Sequence, residues 1–114
     1  TFNALQAAKK LAKEKGMKVR VINMHTIKPL DVGIIAKALR ETGHIFTVEE
    51  HSVLGGLGSA VCEVAAGQGN CPKVTRIGLA DSFEKIAGYY EQLARFGLES
   101  EGIYRRVIKE MCII

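Results

Sequence analysis

The chain has 114 residues, 47% of them hydrophobic and 25% charged, with 12 glycines, 2 prolines and no tryptophan. That size and make-up predict one small globular domain over 1–114 and exclude collagen-like and disordered chains. The net charge of +4 is unevenly spread, because residues 1–20 hold Lys9, Lys10, Lys13, Lys15, Lys18 and Arg20 against Glu14 alone. Such a segment reads as the solvated face of one helix, and no nucleic-acid partner is expected. No apolar run approaches the ~20 residues of a spanning helix, so no membrane partner is expected either. Thr1-Phe2-Asn3-Ala4 lacks the charged-then-apolar order of a secretory signal, and the expected location is cytoplasmic. Cys62, Cys71 and Cys112 are odd in number and far apart, which speaks against a disulfide scaffold and a zinc site.

Residues 3–15 are predicted helical. Ala4, Leu5, Ala8, Leu11 and Ala12 mark the inner face, and Gly16 is the stop. Lys18–Met24 is rich in β-branched residues and is predicted as a strand. A second helix starts after Asp31, an N-cap, with Leu30 and Ile35 at the hydrophobic-staple positions. Its stripe is Val32, Ile35, Ala36 and Leu39, and Gly43 closes it. Ile45–Glu49 is the second strand and ends in Glu50-His51. A third helix leaves the loop Gly55-Gly56-Leu57-Gly58-Ser59, with Leu57, Val61, Val64 and Ala65 on one face. Gly67 to Asn70 ends it, and Lys73–Gly78 is the third strand. A fourth helix carries Ile86, Tyr90 and Leu93 and stops at Gly97; a fifth starts after Ser100. Alternation of this kind predicts an α/β fold, with parallel strands and helices on both faces. The chain opens on a helix where α/β units open on a strand, so a strand ahead of Thr1 is expected to be missing.

In an open parallel sheet, ligands sit beyond the C-terminal strand ends. His25, Glu49, Glu50, His51 and Asp81 gather at those ends. Glu50 and His51 are the catalytic candidates, since a carboxylate beside an imidazole suits proton transfer. The glycine-rich loop is the second candidate: Gly55, Gly56, Gly58 and Ser59 precede a helix, where free N–H groups face an anion. It matches neither G-x-G-x-x-G nor a Walker A loop, and a tight turn allowing close backbone approach is the simpler account. That account requires φ > 0 at one of the three glycines. No G-x-S-x-G elbow and no metal-ligand spacing are present.

Four segments in order carry a resemblance. They are Met24-His25-Thr26-Ile27-Lys28-Pro29-Leu30-Asp31, then Val48-Glu49-Glu50-His51 with Gly55-Gly56-Leu57-Gly58-Ser59-Ala60-Val61, then Arg76-Ile77-Gly78 with Asp81 and Phe83, and last Phe96-Gly97-Leu98 with Ile103 and Val107. Together they resemble the C-terminal domain of the transketolase family of thiamine-diphosphate enzymes. The resemblance implies a three-layer α/β/α domain with a mostly parallel sheet. It implies ketol transfer between sugar phosphates in a full assembly whose other two domains hold thiamine diphosphate and magnesium. No cofactor or metal ligand is carried onto this chain, and the isolated chain is expected to be inactive. The implied role is structural, at a dimer interface, or regulatory, at an anion site formed by the glycine loop. The partners implied are other transketolase domains or a separate subunit, in a homo-oligomer. Deoxyxylulose-phosphate synthase and the β chain of 2-oxo-acid dehydrogenases share the domain and give the alternative, a partner-docking module. The family domain opens with a strand and a Gly-Ser turn, so this chain is expected to be N-terminally truncated.

Overall fold

The structure, a computed structural model, describes residues 1–69, 72–83 and 85–112. Cys71 and Asn70, the expected end of the third helix's exit turn, lie outside the described residues. The element order is α1 (Phe2–Lys15), α2 (Val32–Glu41), β1 (His44–Ser52), α3 (Leu57–Ala66), β2 (Lys73–Leu79), α4 (Tyr89–Arg95) and α5 (Ser100–Glu110). The chain forms two compact units. One is contiguous, Met24–Asp81, and the other joins Thr1–Asn23 to the segment beginning at Ser82. None of the described helices is long and apolar enough to cross a membrane.

In the contiguous unit, β1 and β2 pair in parallel, from His44 opposite Lys73 to Val48 opposite Ile77. The α/β expectation holds here: α3 links the strands, and a core of Ile35, Leu39, Val61 and Ala65 joins α2 to α3. Ile45 and Val74 of the strands, with Met24, Leu30 and Leu57, pack against that core. Asp31 caps α2 as its position predicts, its Oδ1 accepting from the Ile34 N–H at 3.0 Å. The helix ends one residue before the expected stop: Thr42 is the C-cap, and its hydroxyl donates to the Ala38 carbonyl at 2.8 Å. Val32, expected inside, is exposed, and Ala38 takes its place in the core. His44 is not a surface residue. It stacks on Phe46 at 4.1 Å between ring centroids and pairs with the buried Thr75 hydroxyl at 2.8 Å.

The other unit is built on α1 and α5. Gly16 stops α1 at φ 64°, and its N–H and that of Met17 bond the Ala12 and Leu11 carbonyls. Burying Leu11 completely is worth about 1.5–3 kcal/mol. The buried face is rotated from the expected one: Ala7 is inside with Ala8 and Leu11, whereas Leu5 and Ala12 are exposed. Alanine contributes too little area to fix a helix face, so the phase of an alanine–lysine helix is set by its neighbour.

Two expected elements differ. Residues 16–26 are in neither helix nor strand. The β-branched run Val19-Arg20-Val21-Ile22 favours extended backbone, but a strand exists only beside a partner ~4.8 Å away. The fourth helix also starts late, at Tyr89, leaving Ile86 outside it. The fifth begins on Ser100 itself, with Glu99 at the N-cap position.

A charged relay ties α1 to α5. Lys10 Nζ lies 2.6 Å from Glu101 Oε2 and 4.4 Å from the centre of the Tyr104 ring. The Tyr104 hydroxyl donates to Glu14 Oε2 at 2.9 Å. The hydrogen bond from Lys10 holds the Glu101 carboxyl below its ordinary value and pushes Lys10 up. The bond to Glu14 pushes the Tyr104 phenol up. A lowered carboxylate contributes stability that is complete above its unfolded value and lost as pH falls through the folded one. Raised Lys10 and Tyr104 contribute stability that is lost as pH rises through their folded values. The melting temperature is therefore expected to hold level at neutral pH, to fall below pH ~4.3 and to fall again above pH ~10. Glu101→Gln should flatten the acid limb. A melting profile between pH 2 and 7 that matches the parent's would overturn the assignment.

Candidate functional site at the end of β1

The register of the sheet changes where the candidate residues lie. Val48 faces Ile77, but the next pair is Ser52 with Leu79. Glu49, Glu50 and His51 therefore stand opposite Gly78 alone, a bulge of two extra residues in β1. A bulge bends the strand and re-aims its side chains. It fits here because position 78 has no side chain: a Cβ there would meet the His51 carbonyl oxygen at 2.8 Å. Beyond the bulge the Val53 N–H bonds the Leu79 carbonyl at 3.0 Å, which closes the ladder again.

Within the bulge, Glu49 turns toward the start of α3. Its Oε2 accepts from the Leu57 N–H at 2.7 Å and its Oε1 from the Gly58 N–H at 2.9 Å. One carboxylate thus satisfies two of the four orphan donors of the helix and sits at the positive end of its dipole. The glycines follow from this contact. A Cβ on Gly56 would run into the Glu49 carboxylate and lie 2.9 Å from His51 Nδ1. A Cβ on Gly58 would lie 2.7 Å from Arg76 Cγ and 2.8 Å from Thr47 Oγ1, a buried hydroxyl without a hydrogen-bond partner. Gly55 supplies the turn at φ 76°, the left-handed conformation expected of at least one of the three.

The remaining loop groups bond to one another. The Gly55 N–H donates to Ser59 Oγ at 3.0 Å, and Arg76 Nη1 donates to the Val53 carbonyl at 2.8 Å. Gly56, Gly58 and Ser59 therefore line a loop whose helical N–H groups already face a carboxylate. An external anion would compete with Glu49 for the Leu57 and Gly58 donors. Glu50 and His51 are exposed on the bulge. His51 Nδ1 lies 2.9 Å from the Ser52 carbonyl. A carbonyl only accepts, so Nδ1 carries the proton and Nε2 is left as an acceptor toward solvent. His25 is exposed beside Thr26, at 2.6 Å from its hydroxyl, and Asp81 is exposed. Among the described residues, no three His, Cys, Asp or Glu side chains are grouped to hold a metal ion. The donor set on this chain does not fit a magnesium diphosphate.

The sequence placed Glu49 among the proton-transfer candidates and missed its capping role. The signal is a carboxylate at a strand end followed by a glycine-rich helix start without a Ser, Thr, Asp or Asn cap: the N-cap position is Gly56.

Comparison with known proteins fits this geometry. The family model for the transketolase C-terminal domain matches residues 1–103. A Methanocaldococcus jannaschii protein named as a transketolase C-terminal section is 42% identical over 108 residues, covering 95% of this chain and 33% of that protein. One subunit of the apulose-4-phosphate transketolase of Phocaeicola vulgatus is 43% identical over 108 residues, 95% of this chain and 34% of that one. The 1-deoxy-D-xylulose-5-phosphate synthase of Symbiobacterium thermophilum is 41% identical over 101 residues, 89% of this chain and 16% of the synthase. A split-gene transketolase solved as an inactive β4 tetramer superposes with a TM-score of 0.80 at 36% identity, over 96% of this chain and 34% of that one. The chain spans about a third of the length of the transketolase relatives it matches.

Proposed function

Because the chain belongs to the transketolase C-terminal domain family, we propose that it serves as the C-terminal module of a transketolase-type enzyme. That enzyme transfers two-carbon ketol units between sugar phosphates, in the cytoplasm and the pentose phosphate pathway, as a dimer or higher homo-oligomer. Thiamine diphosphate and magnesium belong to its other parts and supply the carbanion chemistry there. What carries this reading is the match of 42–43% over 108 residues to two separately encoded transketolase sections. Deoxyxylulose-phosphate synthase is the second reading, favoured by the 41% identity to such an enzyme. In either case this module positions loops at a boundary of the active site. The β1 bulge is the part built for that: Glu49 fixes the loop to α3 and leaves the acceptor nitrogen of His51 exposed.

The test uses the complete enzyme with thiamine diphosphate and magnesium, with products identified by mass spectrometry. Two-carbon transfer between sugar phosphates supports the first reading, and 1-deoxy-D-xylulose 5-phosphate as product assigns the second. The 114-residue chain alone is expected to give neither product and no calorimetric signal with thiamine diphosphate. In the complete enzyme His51→Ala should lower kcat/KM at least about tenfold, or ~1.4 kcal/mol, with an unchanged melting temperature. Unaltered kinetics would remove His51 from the substrate's surroundings.

A further inference from the structure

Three large apolar side chains stand in solvent around the start of α4. Phe83 is 109% exposed, Ile86 101% and Tyr90 82%, relative to an extended reference. With Leu93 they are spaced i, i+3, i+7 and i+10, which is one stripe of a helix. Only Leu93, the last of them, is buried, and residues 85–88 are outside the helix that the stripe prescribes. Helices of this length owe most of their stability to the surface that covers their apolar face. Here the pattern stops being helical where the cover stops. Gly88 adds about 1 kcal/mol against continuing the helix unaided.

The area involved is large. Aromatic side chains bury roughly 150–250 Å² each, so Phe83, Ile86 and Tyr90 together offer on the order of 500 Å². That exceeds half of the ~800 Å² that each partner gives to a standard interface, from a segment of about eight residues. An exposed patch of this size on so small a chain marks a docking surface.

We infer that the Phe83–Tyr90 stripe is the seat for the remainder of the enzyme, and that α4 extends over residues 85–88 when it is docked. The inference rests on the module reading above. Its occupant is the part of the polypeptide assembly that the relatives have and these 114 residues do not, about two thirds of the transketolase relatives' length. The same module is matched in chains of which it makes up a third and in chains of which it makes up 16%. A surface that is uncovered in the module alone is covered in both if the cover comes from the rest of the enzyme.

The experiment places the photoreactive residue p-benzoylphenylalanine at position 86 of the complete enzyme and maps the cross-links by mass spectrometry. Cross-links to residues outside this 114-residue segment are expected. Phe83→Ser with Ile86→Ser should weaken assembly at least about tenfold by sedimentation, with far-ultraviolet circular dichroism otherwise unchanged. Cross-links to the same stripe of a second copy, or back onto this segment, would overturn the inference, as would the absence of cross-links with unaltered assembly. Failure of the module reading shows differently: the complete protein would transfer no ketol unit and make no deoxyxylulose phosphate, while the cross-link to the outer residues persists.

Discussion

Glu49→Ala is expected to destabilise the chain by about 2–3 kcal/mol, which corresponds to a fall in melting temperature on the order of 10 °C. Two part-buried N–H groups, those of Leu57 and Gly58, lose their acceptor at once. The charge at the positive end of α3 goes with it. Gly56 has no side chain to take over as a cap, and the alanine methyl reaches neither donor. Glu49→Gln keeps one acceptor oxygen but turns an NH2 group toward the other N–H, so about half of the loss should remain. Urea denaturation followed by circular dichroism separates the variants. A midpoint for Glu49→Ala equal to the parent's would show that water replaces the carboxylate without cost, and the capping account would fall.

Gly78→Ala should cost about 2–3 kcal/mol, although it adds a single methyl group. That methyl would lie 2.8 Å from the His51 carbonyl oxygen and 3.1 Å from Glu49 Cγ and Val53 Cγ1. The closest atom is main chain and has no rotamer to escape into. The bulge must lift away from β2, which loosens the bond from the Val53 N–H to the Leu79 carbonyl and pulls Glu49 back from α3. Faster hydrogen exchange at Val53 and at Leu57 together is the expected signature. Gly43→Ala is the control, because a Cβ there meets nothing within 4 Å, and its exchange pattern should stay as in the parent. Equal stability of the two variants would mean that the bulge does not depend on close approach at Gly78.

Elements whose ends are written in single residues were legible in the sequence. Gly16 stops α1 in the left-handed conformation and Asp31 caps α2, both local events that need no tertiary partner. What depended on a partner was not legible. Val19 to Ile22 have the composition of a strand, yet no composition specifies what lies alongside. Ile86 and Tyr90 have helical spacing, yet the first turn forms only where something covers it. The site shows the same division. Gly55, Gly56 and Gly58 announced a close approach, and the approach is there. The approaching group, Glu49, is reached through a bulge in β1, and a two-residue slip in register leaves no mark on a run as short as Val48-Glu49-Glu50-His51.

The division into a contiguous unit and one assembled from both flanks has a consequence for synthesis. Met24–Asp81 has all of its own partners once residue 81 is made. Helix α1 does not, because the bond from Lys10 to Glu101 spans 91 positions. At ~5–20 residues per second, Ala7, Ala8 and Leu11 wait roughly 5–20 s on the ribosome for α5. Closing so long a loop adds little further cost, since closure entropy rises only with the logarithm of length. The hazard is the waiting itself, when a nascent helix face is open to other chains. Leu11 is the one large side chain on that buried face, and Lys9, Lys10, Lys13 and Lys15 stand around it. Those lysines act as gatekeepers that keep the unfinished polypeptide soluble until its last helix emerges.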